Sequence, residues 1–169
     1  MSLHFSDYRS GERTFQLVTQ VSGRSGRAEE QGKVVLQTYD PENYILRFAV
    51  NYDYEGFFKH EISLRRTTAF PPFAKIVRVM VVGEEENKAL ETLKEAYFSL
   101  KELFDAHTGD FLFFNKMKSP VKRIQNKFRY QVLMRITNEA LLPEIYERAL
   151  RCKTRDVNVY VEENPSNLS

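Results

Sequence analysis

The stretch IVRVMVVGEEENKALETLKEAYFSLKELFD, Ile76 to Asp105, changes its hydrophobic rhythm once, and that change decides the fold. Ile76 to Val82 is rich in β-branched residues and reads as a strand. Beyond Gly83, Leu90, Leu93, Tyr97, Leu100 and Phe104 recur at three- and four-residue steps. That spacing gathers them on one stripe of an amphipathic helix spanning Glu84 to Asp105. Glu84, Glu85 and Glu86 fall in its first turn, where the helix dipole favours negative charge.

Downstream the pattern alternates again. Phe111 to Phe114 reads as a short strand, and Tyr130 to Ile136 as another, with Tyr130, Val132, Met134 and Ile136 on one face. Asn138 is placed to cap a helix from Glu139 to about Lys153. Val157, Val159 and Val161 alternate with polar residues in a closing strand. From Ala74 onward the order is β-α-β-β-α-β, the split βαβ arrangement, in which two helices cover one face of a four-stranded sheet. The expected class is therefore α+β.

Upstream the rhythm is less regular. Phe70-Pro71-Pro72-Phe73 interrupts it, since proline cannot donate a backbone hydrogen bond and disfavours helix at the residue before it. Residues 43–51 and 53–66 read as helices, entered through the turn Asp40-Pro41-Glu42-Asn43. Val34, Val35 and Leu36 read as a strand. Residues 13–22 read as a helix ending at Gly23 or Gly26. Met1-Ser2-Leu3 reads as an initiator methionine followed by residues left from cloning. The expected divisions are residues 1–3, 4–40, a helical linker 41–70, and a carboxy-terminal domain 71–169.

Composition narrows the function. The chain has 169 residues, with 25 Lys plus Arg against 23 Asp plus Glu, so its net charge of +2 makes no case for nucleic acid by itself. Distribution does. Lys116, Lys118, Lys122, Arg123, Lys127, Arg129 and Arg135 fall within 20 residues that hold no acid. Such cations neutralise phosphates and release counterions. The interleaved Phe128 and Tyr130 could stack on bases, although Tyr130 is in phase with the core positions and packing is the expected role of both. A soluble edge strand can carry lysines for the same spacing.

One cysteine, Cys152, excludes an internal disulfide, and with three scattered histidines it makes a four-ligand zinc site improbable. A reducing, cytoplasmic setting and a buried thiol are expected. His4, His60 and His107 have no nucleophile or ligand partner at informative spacing, and Glu29-Glu30 and Glu84–Glu86 read as solvated charges. No apolar run is long enough to span a bilayer.

Gln20-Val21-Ser22-Gly23-Arg24-Ser25-Gly26-Arg27 poses a separate question. A guanidinium is a permanently charged, planar fork matched to phosphate oxygens, and glycine beside it permits a sharp turn or close approach. Two of them three residues apart could clamp a triphosphate held by a facing domain, as arginine fingers do. Taken alone, they fit an ordinary basic loop as well.

The segment resembles the Q-x-x-G-R-x-G-R motif VI of superfamily 2 helicases. Its flanks, Glu12 to Leu17 and Ala28 to Thr38, are similar to those of the PriA family of replication-restart DNA helicases. Tyr54-Glu55-Gly56-Phe57-Phe58, Glu61, Arg65-Arg66 and Phe70 to Phe73 resemble that family's linker. Ser119 to Ile124 and Phe128 to Gln131 resemble the hairpin of its carboxy-terminal domain. The chain departs from the family at Asn115-Lys116, at Asn126 in place of a hairpin glycine, and at Glu162 to Pro165.

The resemblance implies the carboxy-terminal part of an ATP-dependent helicase: the end of its second lobe (helix then strand), a linker and a DNA-binding domain. Arg24 and Arg27, with Gln20 nearby and Gly23 and Gly26 shaping the turn, would face ATP and Mg2+ held by a first lobe. The phosphate-cradling G-x-x-x-x-G-K-[ST] is not in this sequence, so the chain alone is expected not to turn over ATP. Zinc would belong to a module outside it, and no cofactor or metal site is expected within it. Forked DNA, single-stranded-DNA-binding protein and primosome proteins are the implied partners, at the bacterial nucleoid and not at a membrane. Two other readings stay open: a stand-alone split-βαβ nucleic-acid-binding module, and a protein-interaction domain using the aromatic linker.

Overall fold

The computed structural model of the chain describes residues 8–24 and 33–165, and their side chains except at 24, 119–122 and 124. Its contacts divide it into two units, residues 1–68 and 69–169.

The first unit is helical: α1 (Ser10–Arg24), α2 (Tyr44–Val50) and α3 (Tyr54–Thr68). Phe15 and Val18, on one face of α1, meet Ala49 of α2 and Phe57 of α3 in a small core, with the Phe15 and Phe57 rings stacked at 4.5 Å. Asn43 caps α2 by accepting from the Ile45 amide, and Asp53 accepts from the Gly56 amide at 2.8 Å to start α3. Gly56 has no alternative. A Cβ there would lie 2.6 Å from the Phe48 ring and 2.3 Å from Asp53 Oδ2. The buried Glu61 is satisfied by the Tyr44 hydroxyl, which donates to it at 2.9 Å, and by Arg65 at 3.1 Å. Arg65 also donates to the Tyr8 carbonyl and reaches Glu12. One guanidinium thus ties α3 to α1.

The expected strand Val34–Leu36 does not form. Residues 33–38 have no regular structure, Val35 is 91% exposed, and no described strand lies beside them. Strand propensity without a partner leaves the backbone groups to water.

The second unit holds β1 (Lys75–Gly83), α4 (Glu86–Ala106), β2 (Phe111–Ile124), β3 (Lys127–Ile136), α5 (Leu142–Arg151) and β4 (Val157–Glu163). The sheet order is β2-β3-β1-β4, with each neighbouring pair antiparallel. The strands joined by α4 are therefore separated by β3, and those joined by α5 are separated by β1. Two boundaries move. The first α-helical residue is Glu86, so only that acid of the three occupies the first turn. Glu139–Leu141 is a 3-10 turn capped by Asn138, and the α-helix begins at Leu142.

A larger correction concerns β2, which runs for 14 residues and not the four of Phe111–Phe114. Residues 115–124 carry neither alternation nor aromatic enrichment. They are strand because β3 supplies the ladder.

The core lies between the helices and one sheet face. Val77, Val79 and Val81 of β1, Tyr130, Val132, Met134 and Ile136 of β3, and Val157 and Val159 of β4 meet Ala89, Leu93, Leu100 and Leu103 of α4 and Ile145 and Ala149 of α5. Full burial of each such aliphatic side chain stabilises by roughly 1.5–3 kcal/mol. Arg148 donates to the Ser99 carbonyl at 2.7 Å and meets Glu102 and Glu144, pinning α5 to α4. Cys152 is buried at the end of α5, and burial pushes its thiol pKa up.

Tyr130 packs in this core and donates to Glu86 at 2.8 Å. Burial first, and the Glu86 carboxylate second, push its pKa up to about 12. The folded value exceeds the ordinary 10, so the stability it contributes is complete below pH 10 and is lost as pH rises toward 12. Ultraviolet titration at the phenolate band should show late-ionising phenols in the folded chain, and Tyr130→Phe should remove one of them. An unchanged late fraction in that variant would contradict the buried contact.

Candidate nucleic-acid interface

The hairpin β2–β3 is closed by two residues, Gln125 and Asn126, both in the left-handed region with φ of 49° and 63°. Positive φ at both positions is the signature of a type I′ turn, whose twist matches that of the strands it joins. Asn tolerates this conformation better than most residues because its amide bonds locally. Here the Asn126 side-chain oxygen accepts from Arg123.

Above the turn Arg123 pairs with Phe128 and Ile124 with Lys127, while Lys118 pairs with Tyr130. Between these registers residues 119–122 of β2 stand against Arg129 alone. Pro120 has no N–H to give to a ladder, which suits it to such an irregularity. Four residues of β2 thus stand opposite one of β3, a bulge-like break in the pairing register.

Lys116, Lys118, Arg123 and Lys127 are exposed and Arg129 is half-buried. They do not form a uniform row. Lys116 and Lys118 pair with Val132 and Tyr130 and so share the sheet face that α4 and α5 cover. The Lys116 ammonium sits 4.5 Å from the Tyr97 ring centre, and the Arg123 guanidinium 5.1 Å from that of Phe128. Arg129 lies on the opposite face, with Nη2 3.5 Å from the Tyr160 hydroxyl. Lys127 is 4.0 Å from Glu84. The Lys122 side chain lies outside the described residues.

Sequence reasoning missed part of this surface. A concavity of about 570 Å³ opens beside the turn end of the hairpin, where Gln125, Lys127 and Arg129 are joined by Lys153, Arg155, Asn158 and Tyr160. The missed signal was Lys153-Thr154-Arg155, two cations in the turn between α5 and β4, distant in sequence from the hairpin.

The residues expected to meet a triphosphate are less defined. Gln20 and Gly23 are exposed on α1, and Arg24 is its last residue, with its side chain outside the described set. Gly26 and Arg27 lie outside the described residues. Among the described residues no three His, Cys, Asp or Glu side chains converge as a metal site would require, and no helix is long and apolar enough to cross a membrane.

Comparison with known proteins is decisive for the family. The sequence profile of the primosomal protein N C-terminal domain matches residues 66–165. The chain belongs to the PriA family. Replication restart protein PriA of Bacillus subtilis is 38% identical over 97% of this chain and 21% of its own length. PriA of Synechocystis is 35% identical over 79% of this chain and 16% of its own, and PriA of Thermotoga maritima 34% over 92% and 20%. The chain thus spans about a fifth of the length of these PriA relatives.

The turn geometry makes a prediction. Asn126→Val places a β-branched residue at positive φ and should destabilise the carboxy-terminal unit by about 1–2 kcal/mol in urea unfolding. Asn126→Gly should leave the midpoint unchanged or higher. Equal destabilisation in both variants would contradict the type I′ assignment.

Proposed function

We propose that this chain is the carboxy-terminal part of a replication-restart helicase, and that its second unit grips DNA at forks through the β2–β3 hairpin. The observation that carries the reading is the hairpin itself. Lys118 and Arg123 are exposed cations with no acidic partner among the described residues, one on each side of the register break at residues 119–122. Family membership supplies the context, since the relatives are named for replication restart. In this reading the second unit is a split βαβ domain, and the helical unit before it is the end of a helicase lobe with its linker.

Backbone contacts of this kind confer affinity without sequence preference, which suits a protein meeting forks of any sequence. Single-stranded-DNA-binding protein and primosome components would be further partners. In the longer protein, Arg24 and Arg27, with Gln20 beside them and Gly23 and Gly26 shaping the turn, would face the γ-phosphate of ATP. ATP with Mg2+ supplies the phosphoryl-transfer energy for movement. The role of the arginines would be to stabilise charge that develops on the phosphate oxygens. Zinc would be held by another module. The alternative, a nucleic-acid-binding module with no link to ATP, shares the hairpin and differs only in what the arginines do.

Two measurements test this. Lys118→Glu with Arg123→Glu should weaken forked-DNA binding by tenfold or more in a fluorescence anisotropy titration. The slope of log affinity against log salt should fall by about 0.7–0.9 for each phosphate that is no longer neutralised. Unchanged affinity removes the hairpin from the account. In the longer protein, Arg24→Ala should depress the ATP turnover rate by about 10³-fold or more while ATP affinity falls little. Equal reductions in both would assign it to nucleotide binding alone, and no reduction in either would favour the module.

A further inference from the structure

The concavity beside the hairpin lies on the sheet face away from α4 and α5. The register sets its floor. Asn158, Val82 and Arg129 form one row across β4, β1 and β3, and Tyr160 lies two residues further along β4 on the same face. Lys153 and Arg155 stand at the rim. Both are exposed, and neither has an acidic partner among the described residues. Three acids line it too: Lys88 holds Glu85 at 2.9 Å and Asp156 at 2.8 Å, and Glu84 lies 4.0 Å from Lys127. The cations at 129, 153 and 155 are thus left facing one opening.

A second observation points to a ligand. Arg129, which lines the opening, has its Nε buried with no hydrogen-bond partner among the described residues. A buried guanidinium donor left unmet is costly unless something completes it. At about 570 Å³ the concavity is of the size that takes a small ligand, roughly 300–1,000 Å³. That is room for an unpaired nucleotide or two.

We infer that this cleft is a single-strand site, in which Arg129, Lys153 and Arg155 hold the phosphates of unpaired DNA and Tyr160 offers its ring to a base. This deepens the reading of the hairpin as a DNA grip and rests on it. The hairpin takes the backbone of the fork, and the cleft takes the strand leaving it. Tyr160 is half-buried on β4, so its ring is held in place before a base arrives. Asn158, exposed in the row next to Tyr160, supplies a polar edge beside the ring.

The test uses the full 169-residue chain, a fluorescent oligo-dT and a blunt duplex of equal length. Lys153→Glu with Arg155→Glu should weaken oligo-dT binding about tenfold or more, with a smaller effect on the duplex. The chain has no tryptophan, so Tyr160→Trp creates a single reporter whose emission oligo-dT should quench and the duplex should not. The hairpin variant Lys118→Glu with Arg123→Glu runs in parallel. If it weakens binding while the 153/155 variant binds oligo-dT normally, the cleft assignment falls and the hairpin reading stands. If neither weakens, both fall. Equal quenching by the duplex, or by an acidic peptide of matched charge, overturns the assignment to single strands. Should the double reversal fail to fold, Lys153→Ala with Arg155→Ala and the reporter decide the question.

Discussion

Strand β3 has almost no exposed side, and the carboxy-terminal unit depends on that. From Tyr130 through Ile136 every residue is buried. Four of them face α4 and α5, as their alternation requires, and the three between, Gln131, Leu133 and Arg135, are buried on the other face. A strand so placed needs a neighbour on each side and a cover on each face. β1 and β2 are the neighbours, and this is why β2 must be long: nine of its residues have direct partners on β3. The cost of the arrangement appears at Arg135. Its guanidinium lies 5.0 Å from the centre of the Phe70 ring, and burial pulls its pKa down. Stacking on an aromatic face suits a weakly hydrated, planar cation where an ammonium would not be satisfied.

This double burial explains what could and could not be read from residues alone. Val132, Met134 and Ile136 announce one buried face by their period of two. Gln131 and Arg135 announce the opposite of what happens on the other face, because charged and amide side chains are ordinarily solvent-facing. The β2 arm of the hairpin beyond Phe114 was legible from its residues as a cluster of cations but not as strand, since residues 115–124 hold no hydrophobic pattern and contain a proline. The helix α4 was legible because its apolar stripe packs on one face of the sheet. Val34 to Leu36 misled for the reverse reason: β-branched residues state a preference that only a partner strand can satisfy.

Gly56 shows how a motif becomes physical. In Tyr54-Glu55-Gly56-Phe57-Phe58 the sequence offers two aromatics after a glycine, and composition gives no reason for the glycine. The reason is steric. α2 and α3 meet at an angle that brings the Phe48 ring within 2.6 Å of where a Cβ would stand. Phe57 then enters the core with Phe15, while Phe58 stays exposed at 51%. One small residue therefore sets the approach of two helices.

The cations of the hairpin divide into two kinds, and the division bears on how such a surface binds. Arg123 is held twice, by the Asn126 oxygen and by the Phe128 ring, and Lys116 by the Tyr97 ring. A long side chain fixed before it meets DNA has already given up much of the rotamer freedom, up to about 2 kcal/mol, that binding would otherwise remove. Lys118 and Lys127 are exposed on the same hairpin, and among the described residues Lys127 meets an acid only at 4.0 Å, in Glu84. They keep their reach and can follow a phosphate backbone whose path varies. A surface with both kinds gains affinity from the fixed cations and tolerance from the free ones. On the proposed DNA-binding role, that combination would suit recognition of a DNA shape better than of a base sequence, which would require every donor to be held against a defined edge.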